Sequence, residues 1–154
     1  MNVMGHPSQL LQNKVLFCTL VAWVVAQTFK VLLAVRRQRR FDVRWFLGTG
    51  GMPSAHSAGV VALATGVGLE LGFQAASFAV ALMFALVIMF DAQGVRRAAG
   101  RQAVILNKMI DEVYISGQVS QERLKELLGH TPIEVLVGAL VGCLTTLLVY
   151  RGLP

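Results

Sequence analysis

The chain has 154 residues, of which 55% are apolar and only 14% charged. That balance excludes an ordinary soluble domain, whose polar coat these residues cannot supply, and predicts a single integral membrane domain over residues 1–154. The formal charge of +6 points to anionic headgroups or an anionic substrate. Nucleic acid is not the expected partner, because the arginines flank apolar runs rather than lining an aromatic-studded groove.

The first apolar run, residues 15–35, is interrupted only by Gln27 and Lys30. A spanning helix needs about 20 apolar residues, with a range of roughly 17 to 25. No small-residue cleavage site follows and arginines do, so the run is read as a span rather than a cleavable signal. Cys18 and Cys143 both fall inside apolar runs and read as small buried hydrophobes, not as a disulfide or zinc framework. Arg36, Arg37, Arg39, Arg40 and Arg44 follow the first run. Next come Gly50, Gly51, Met52, Pro53, Ser54, Ala55 and His56, where glycines permit a tight turn and Ser54 can cap a helix.

The second run covers residues 56–73, with Glu70 near its end, and the third covers residues 74–90. Gly59, Ala62, Ala64 and Gly66 in the second run allow close helix packing. Between residues 91 and 132, Val104, Ile105, Met109, Ile110 and Val113 recur at helical spacing, as do Leu124, Leu127 and Leu128. Gly117 separates the two pieces, Ser120 can cap the second and Gly129 can end it, which gives two short amphipathic surface helices. The fourth run covers residues 133–150. The expected architecture is all-α, a polytopic bundle of about four transmembrane helices with two surface helices.

Charge orients this bundle. The first loop and the long loop together carry eleven cations, against Lys14 and Arg151 on the other side. The positive-inside rule then places both loops in the cytoplasm and both termini outward, in a multi-pass cell-membrane protein.

The candidate chemistry gathers at the cytoplasmic face. Helices two and four start there, so His56 and His130 share one end with two positive helix termini, which favour an anion. Thr131 and Glu134 form a capping box with Pro132 at the first helical position, and His130 lies four residues before Glu134. One carboxylate can therefore serve both the backbone and the imidazole. Lys30 lies near the cytoplasmic end of helix one, with Arg37 seven residues later. Asp91 ends helix three, where a carboxylate opposes the dipole, and is expected to pair with Arg96, Arg97 or Arg101. For Arg39, Arg40 and Arg44, topology signalling is sufficient explanation.

These residues carry a resemblance to the divergent branch of the type-2 phosphatidic acid phosphatase family, related to acid phosphatases and vanadium-dependent haloperoxidases. That family has three motifs, Lys-x6-Arg-Pro, Pro-Ser-x-His and Ser-Arg-x5-His-x3-Asp. Lys30 and Arg37 match the first, with Gln38 in place of proline; Pro53, Ser54, Ala55 and His56 match the second. His130 and Glu134 match the end of the third, with glutamate for aspartate, and Leu124 stands where its arginine belongs, between Arg123 and Lys125. The segments 90–102 and 127–132 resemble the divergent branch specifically.

The resemblance implies a membrane phosphatase that hydrolyses a lipid phosphate or diphosphate through a phosphohistidine. It assigns attack on phosphorus to His130, support of that ring to Glu134, and proton transfer to His56. Lys30, Arg37, Ser54 and an arginine among Arg96, Arg97 and Arg101 would bind phosphate, with Asp91 supporting. The scheme needs no metal or cofactor, although one carboxylate beside phosphate, Asp91, can hold magnesium. The expected partners are the lipid phosphate and the surrounding lipids, and four short helices are compatible with a homodimer. Displacement of the third-motif arginine keeps a second reading open, a non-hydrolytic binder or transporter of anionic lipids. A third, a structural membrane protein whose arginines serve topology alone, leaves the two histidines unexplained.

Overall fold

The computed structural model describes residues 12–39, 51–115 and 130–153, without the side chains of residues 95–97 and 111–115. The described residues form helices and connecting turns, with no strand among them. Helix α1 (Lys14–Gln38) is capped by Asn13, whose side chain accepts from the Leu16 amide at 2.9 Å. Arg39 ends it in the left-handed region, at φ 51. Helix α2 (Ala55–Leu71) is capped by Ser54 and stopped by Gly72, at φ 88. Helix α3 (Ala76–Gln93) ends at Gly94, and α4 (Val95–Ile115) continues from it. Helix α5 (Pro132–Gly152) begins with the predicted capping box and proline.

Three apolar runs among the described residues are long enough to cross a membrane: Lys14–Gln38, Ala76–Ile110 across Gly94, and Pro132–Gly152. Helix α2 is apolar but shorter than the predicted second span, at 17 residues, about 25 Å at 1.5 Å per residue. It sits at the centre of the bundle, packed against α1, α3 and α5. Enclosure by its neighbours explains how so short a helix suffices, since its flanks meet protein rather than lipid.

The packing inverts that of a soluble protein. Most buried apolar positions are small, among them Cys18, Ala22, Ala26, Ala55, Ala58, Ala62 and Ala64. Large apolar side chains point outward, including Leu136, Leu140, Leu144 and Leu148 of α5, each at least 58% exposed. On the opposite side of the same helix, Gly138, Gly142 and Thr146 are buried. Lipid tails are as apolar as leucine, so nothing drives leucine inward, and association rests on close backbone packing.

Glycine contacts fix the helix directions. A Cβ on Gly51, Gly59 or Gly66 would lie 3.4 Å from Lys30, 3.8 Å from Trp23 or 3.0 Å from Val15, so α1 and α2 run antiparallel. Gly138 lies against Ser54 and Gly142 against Ala58, so α2 and α5 run parallel, with their far ends joined by the Tyr150 hydroxyl donating to Glu70. Ala64 packs with Ala81 and Ala85 of the returning α3.

Among the described helices α4 packs against α3 alone, and its Asn107 is buried. Its exposed surface combines Ile105, Leu106 and Met109 with Arg101 and Lys108. The helix covers the first of the two expected short amphipathic helices but is longer, at 21 residues, and runs on directly from α3. The second, with Ser120 and Gly129, lies outside the described residues, as do Arg40 and Arg44.

Candidate active site

The end of the bundle that holds the histidines is assembled from the starts of α2 and α5 and the last turns of α1 and α3. At α5 the Thr131 hydroxyl accepts from the Glu134 amide at 3.3 Å, and Glu134 Oε2 accepts from the Thr131 amide at 3.0 Å. The same Oε2 lies 3.1 Å from Nδ1 of His130. One carboxylate oxygen therefore serves the cap and the imidazole together. His130 is almost wholly buried, whereas the Glu134 side chain keeps 22% of its surface exposed. With a carboxylate at Nδ1, the neutral ring carries its proton there and leaves Nε2 with a free lone pair.

Helix α2 meets this corner directly. The Ser54 amide donates to the Glu134 carbonyl at 3.0 Å, tying the two helix starts together through the main chain. His56, in the first turn of α2 and half-buried, brings its ring centroid to 6.3 Å from that of His130, at an interplanar angle of 58°. Ser54 itself is wholly buried. Its hydroxyl oxygen accepts from the Ser57 amide at 3.3 Å and from the Ser57 hydroxyl at 3.0 Å. Its evident work is capping α2 and joining it to α5.

Lys30 is buried on the same α1 stripe as Cys18, Ala22 and Ala26, one turn beyond Ala26, which packs on Ala55 and Ala58. Its methylene stem passes Gly51, whose backbone holds φ 84 and whose missing side chain leaves the room. Burying a lysine in a membrane span is costly, which makes Lys30 a candidate functional residue. Arg37 follows two turns later and is exposed. Asp91 is half-buried in the last turn of α3 at this same end, and Arg101 is exposed on α4. The side chains of Arg96 and Arg97 lie outside the described residues. The fold thus brings Lys30, Ser54, His56, His130 and Glu134 to one corner, and Arg37 and Asp91 lie on helix turns at the same end of the bundle. Among the described residues no three of His, Cys, Asp and Glu gather as a metal site requires.

Sequence reasoning missed Ser57, Gly138 and Gly142. The glycine pair did leave a signal, the four-residue spacing that lets two backbones approach, but its partner helix was not readable.

Fold and corner together describe a helical membrane protein in which two histidines and a carboxylate gather at one end of the bundle. The chain belongs to the divergent PAP2 family, whose sequence model matches residues 11–145. It is 45% identical over 150 residues, covering 90% of this chain and 95% of the relative, to the uncharacterized membrane protein YuiD of Bacillus subtilis (strain 168). No solved structure matches the chain.

Proposed function

We propose that the chain is a membrane phosphatase acting on a lipid phosphate or diphosphate through a phosphohistidine on His130. The observation that carries this reading is the corner in which Glu134 Oε2 lies 3.1 Å from Nδ1 of His130 while the His56 ring stands 6.3 Å away. His130 Nε2 attacks phosphorus, the bond to the lipid oxygen breaks, and His56 gives that oxygen its proton. Water, deprotonated by His56, then displaces His130 and releases phosphate. Glu134 stabilises the imidazolium that forms, and Lys30, with Arg37 and an arginine of α4 drawn in by substrate, neutralises the phosphoryl oxygens. Family membership supports a phosphatase-related role, and a site at headgroup level leaves the tail in the bilayer.

Purified protein should release phosphate from at least one of phosphatidic acid, phosphatidylglycerophosphate and a polyprenyl diphosphate, and His130→Ala should abolish that release. Lack of release from every substrate, or a His130→Ala protein as active as the parent, would overturn the proposal. Leucine at position 124 and the exposure of Arg37 and Arg101 favour the second reading, a non-hydrolytic binder. Vanadate, which imitates five-coordinate phosphorus, separates the two, because a hydrolase binds it more tightly than it binds phosphate.

A further inference from the structure

One turn of α5 grips both sides of Ser54. At its upper end the Glu134 carbonyl accepts the Ser54 amide at 3.0 Å. At its lower end Gly138 lies against the Ser54 carbonyl so closely that a Cβ there would sit far inside contact distance of that oxygen. His56 follows Ser54 by two residues and His130 precedes Glu134 by four, so this bracket links the two rings through one main-chain hydrogen bond and a few residues on either side. We infer that Gly138 is a positioning residue, setting the separation of the two imidazoles by letting α5 close onto the Ser54 peptide. This rests on the phosphatase reading for its kinetic consequence and on geometry alone for its structural one.

The displacement follows from van der Waals distances. Carbon and oxygen settle near 3.5 Å, so a methyl at position 138 must push the helix starts apart by on the order of 1 Å. An error of that size at the reacting groups costs about 100-fold in rate. Gly142 makes the same close contact with the Ala58 carbonyl, but one turn, about 5.4 Å, farther from the histidines. It serves as the matched control, with a similar packing defect and a smaller effect on the rings.

The test uses the full-length protein in membranes. With Cys18 and Cys143 replaced by alanine and cysteines placed at positions 56 and 130, a graded series of bifunctional thiol reagents measures the ring-site separation. Gly138→Ala should raise the shortest reagent length that joins the pair, and Gly142→Ala should raise it less. In the chain with both histidines intact, Gly138→Ala should lower kcat about 100-fold with KM little changed, since the cations that hold phosphate are untouched. An unchanged reagent length in Gly138→Ala, or an equal change in Gly142→Ala, overturns the inference. The cross-linking outcome stands whether or not the wild type hydrolyses any lipid, so it is independent of the phosphatase proposal. Should Gly138→Ala accumulate poorly, the reagent length is read by immunoblot on the fraction that reaches the membrane, and the same two outcomes decide.

Discussion

Glu134 is asked to do two things with one atom, and the two can be separated. Its Oε2 closes the helix cap through the Thr131 amide and holds the His130 ring. Glutamine offers a carbonyl oxygen in the same place, so Glu134→Gln should preserve the cap and change stability by well under the 0.5 to 2 kcal/mol that a lost cap costs. What glutamine lacks is charge to stabilise an imidazolium. In the serine-protease triad the corresponding carboxylate-to-amide change leaves geometry intact and costs about 10⁴ in rate. Glu134→Gln should therefore melt with the wild type while losing most phosphate release, and Glu134→Asp should retain some. Near-normal turnover by Glu134→Gln would leave the carboxylate as a cap and strip His130 of its main support. This pairing was legible in the sequence because it is local: a four-residue spacing at a helix start fixes it. The burial of Ser54 was not, because it depends on where α5 lies.

At the scale of the helices, legibility divides by composition. The spans, the caps at Ser54 and Thr131 and the shared end of His56 and His130 follow from apolar length, cap chemistry and the alternation of direction; the Asn13 cap of α1 was not read. The faces of α2, α3 and α5 do not, because a helix apolar all round has no hydrophobic stripe to read. Size replaces polarity as the code, with small residues inward and leucines outward. The central place of the 17-residue α2 was hidden for the same reason. Two alanine substitutions in α5 test this code. Leu140 is 62% exposed, and Leu140→Ala should stay within about 0.5 kcal/mol of wild type, as surface changes do. Gly142→Ala drives a methyl against the Ala58 carbonyl, and overpacking of this kind costs about 1–3 kcal/mol. Thermal unfolding in detergent measures both; a larger loss for Leu140→Ala would mean that α5 buries its leucines in another protein surface.

For the whole molecule, the two ends of the bundle differ in charge as well as chemistry. Arg36, Arg37 and Arg39 are exposed where α1 reaches the histidine end, and Arg101 is exposed on α4 beyond the end of α3. The far end offers Lys14 and Arg151, with Glu70 held by Tyr150. Translocation retains Lys and Arg on the cytoplasmic side, so the histidine end should face inward and the substrate phosphate should be drawn from the inner leaflet. In a background with Cys18 and Cys143 replaced by alanine, a membrane-impermeant thiol reagent should label Asn13→Cys and Gly152→Cys in intact cells. It should reach Arg39→Cys and Arg101→Cys only after the cytoplasmic side is opened. Labelling of Arg39→Cys from outside would reverse the orientation and turn the histidine corner toward the outer leaflet. The internal geometry would survive that reversal, since Ser54, Glu134 and Gly138 fix the corner within the bundle. The source of the substrate would change with it, and phosphate release from an outer-leaflet lipid in intact cells would be the measurement to follow.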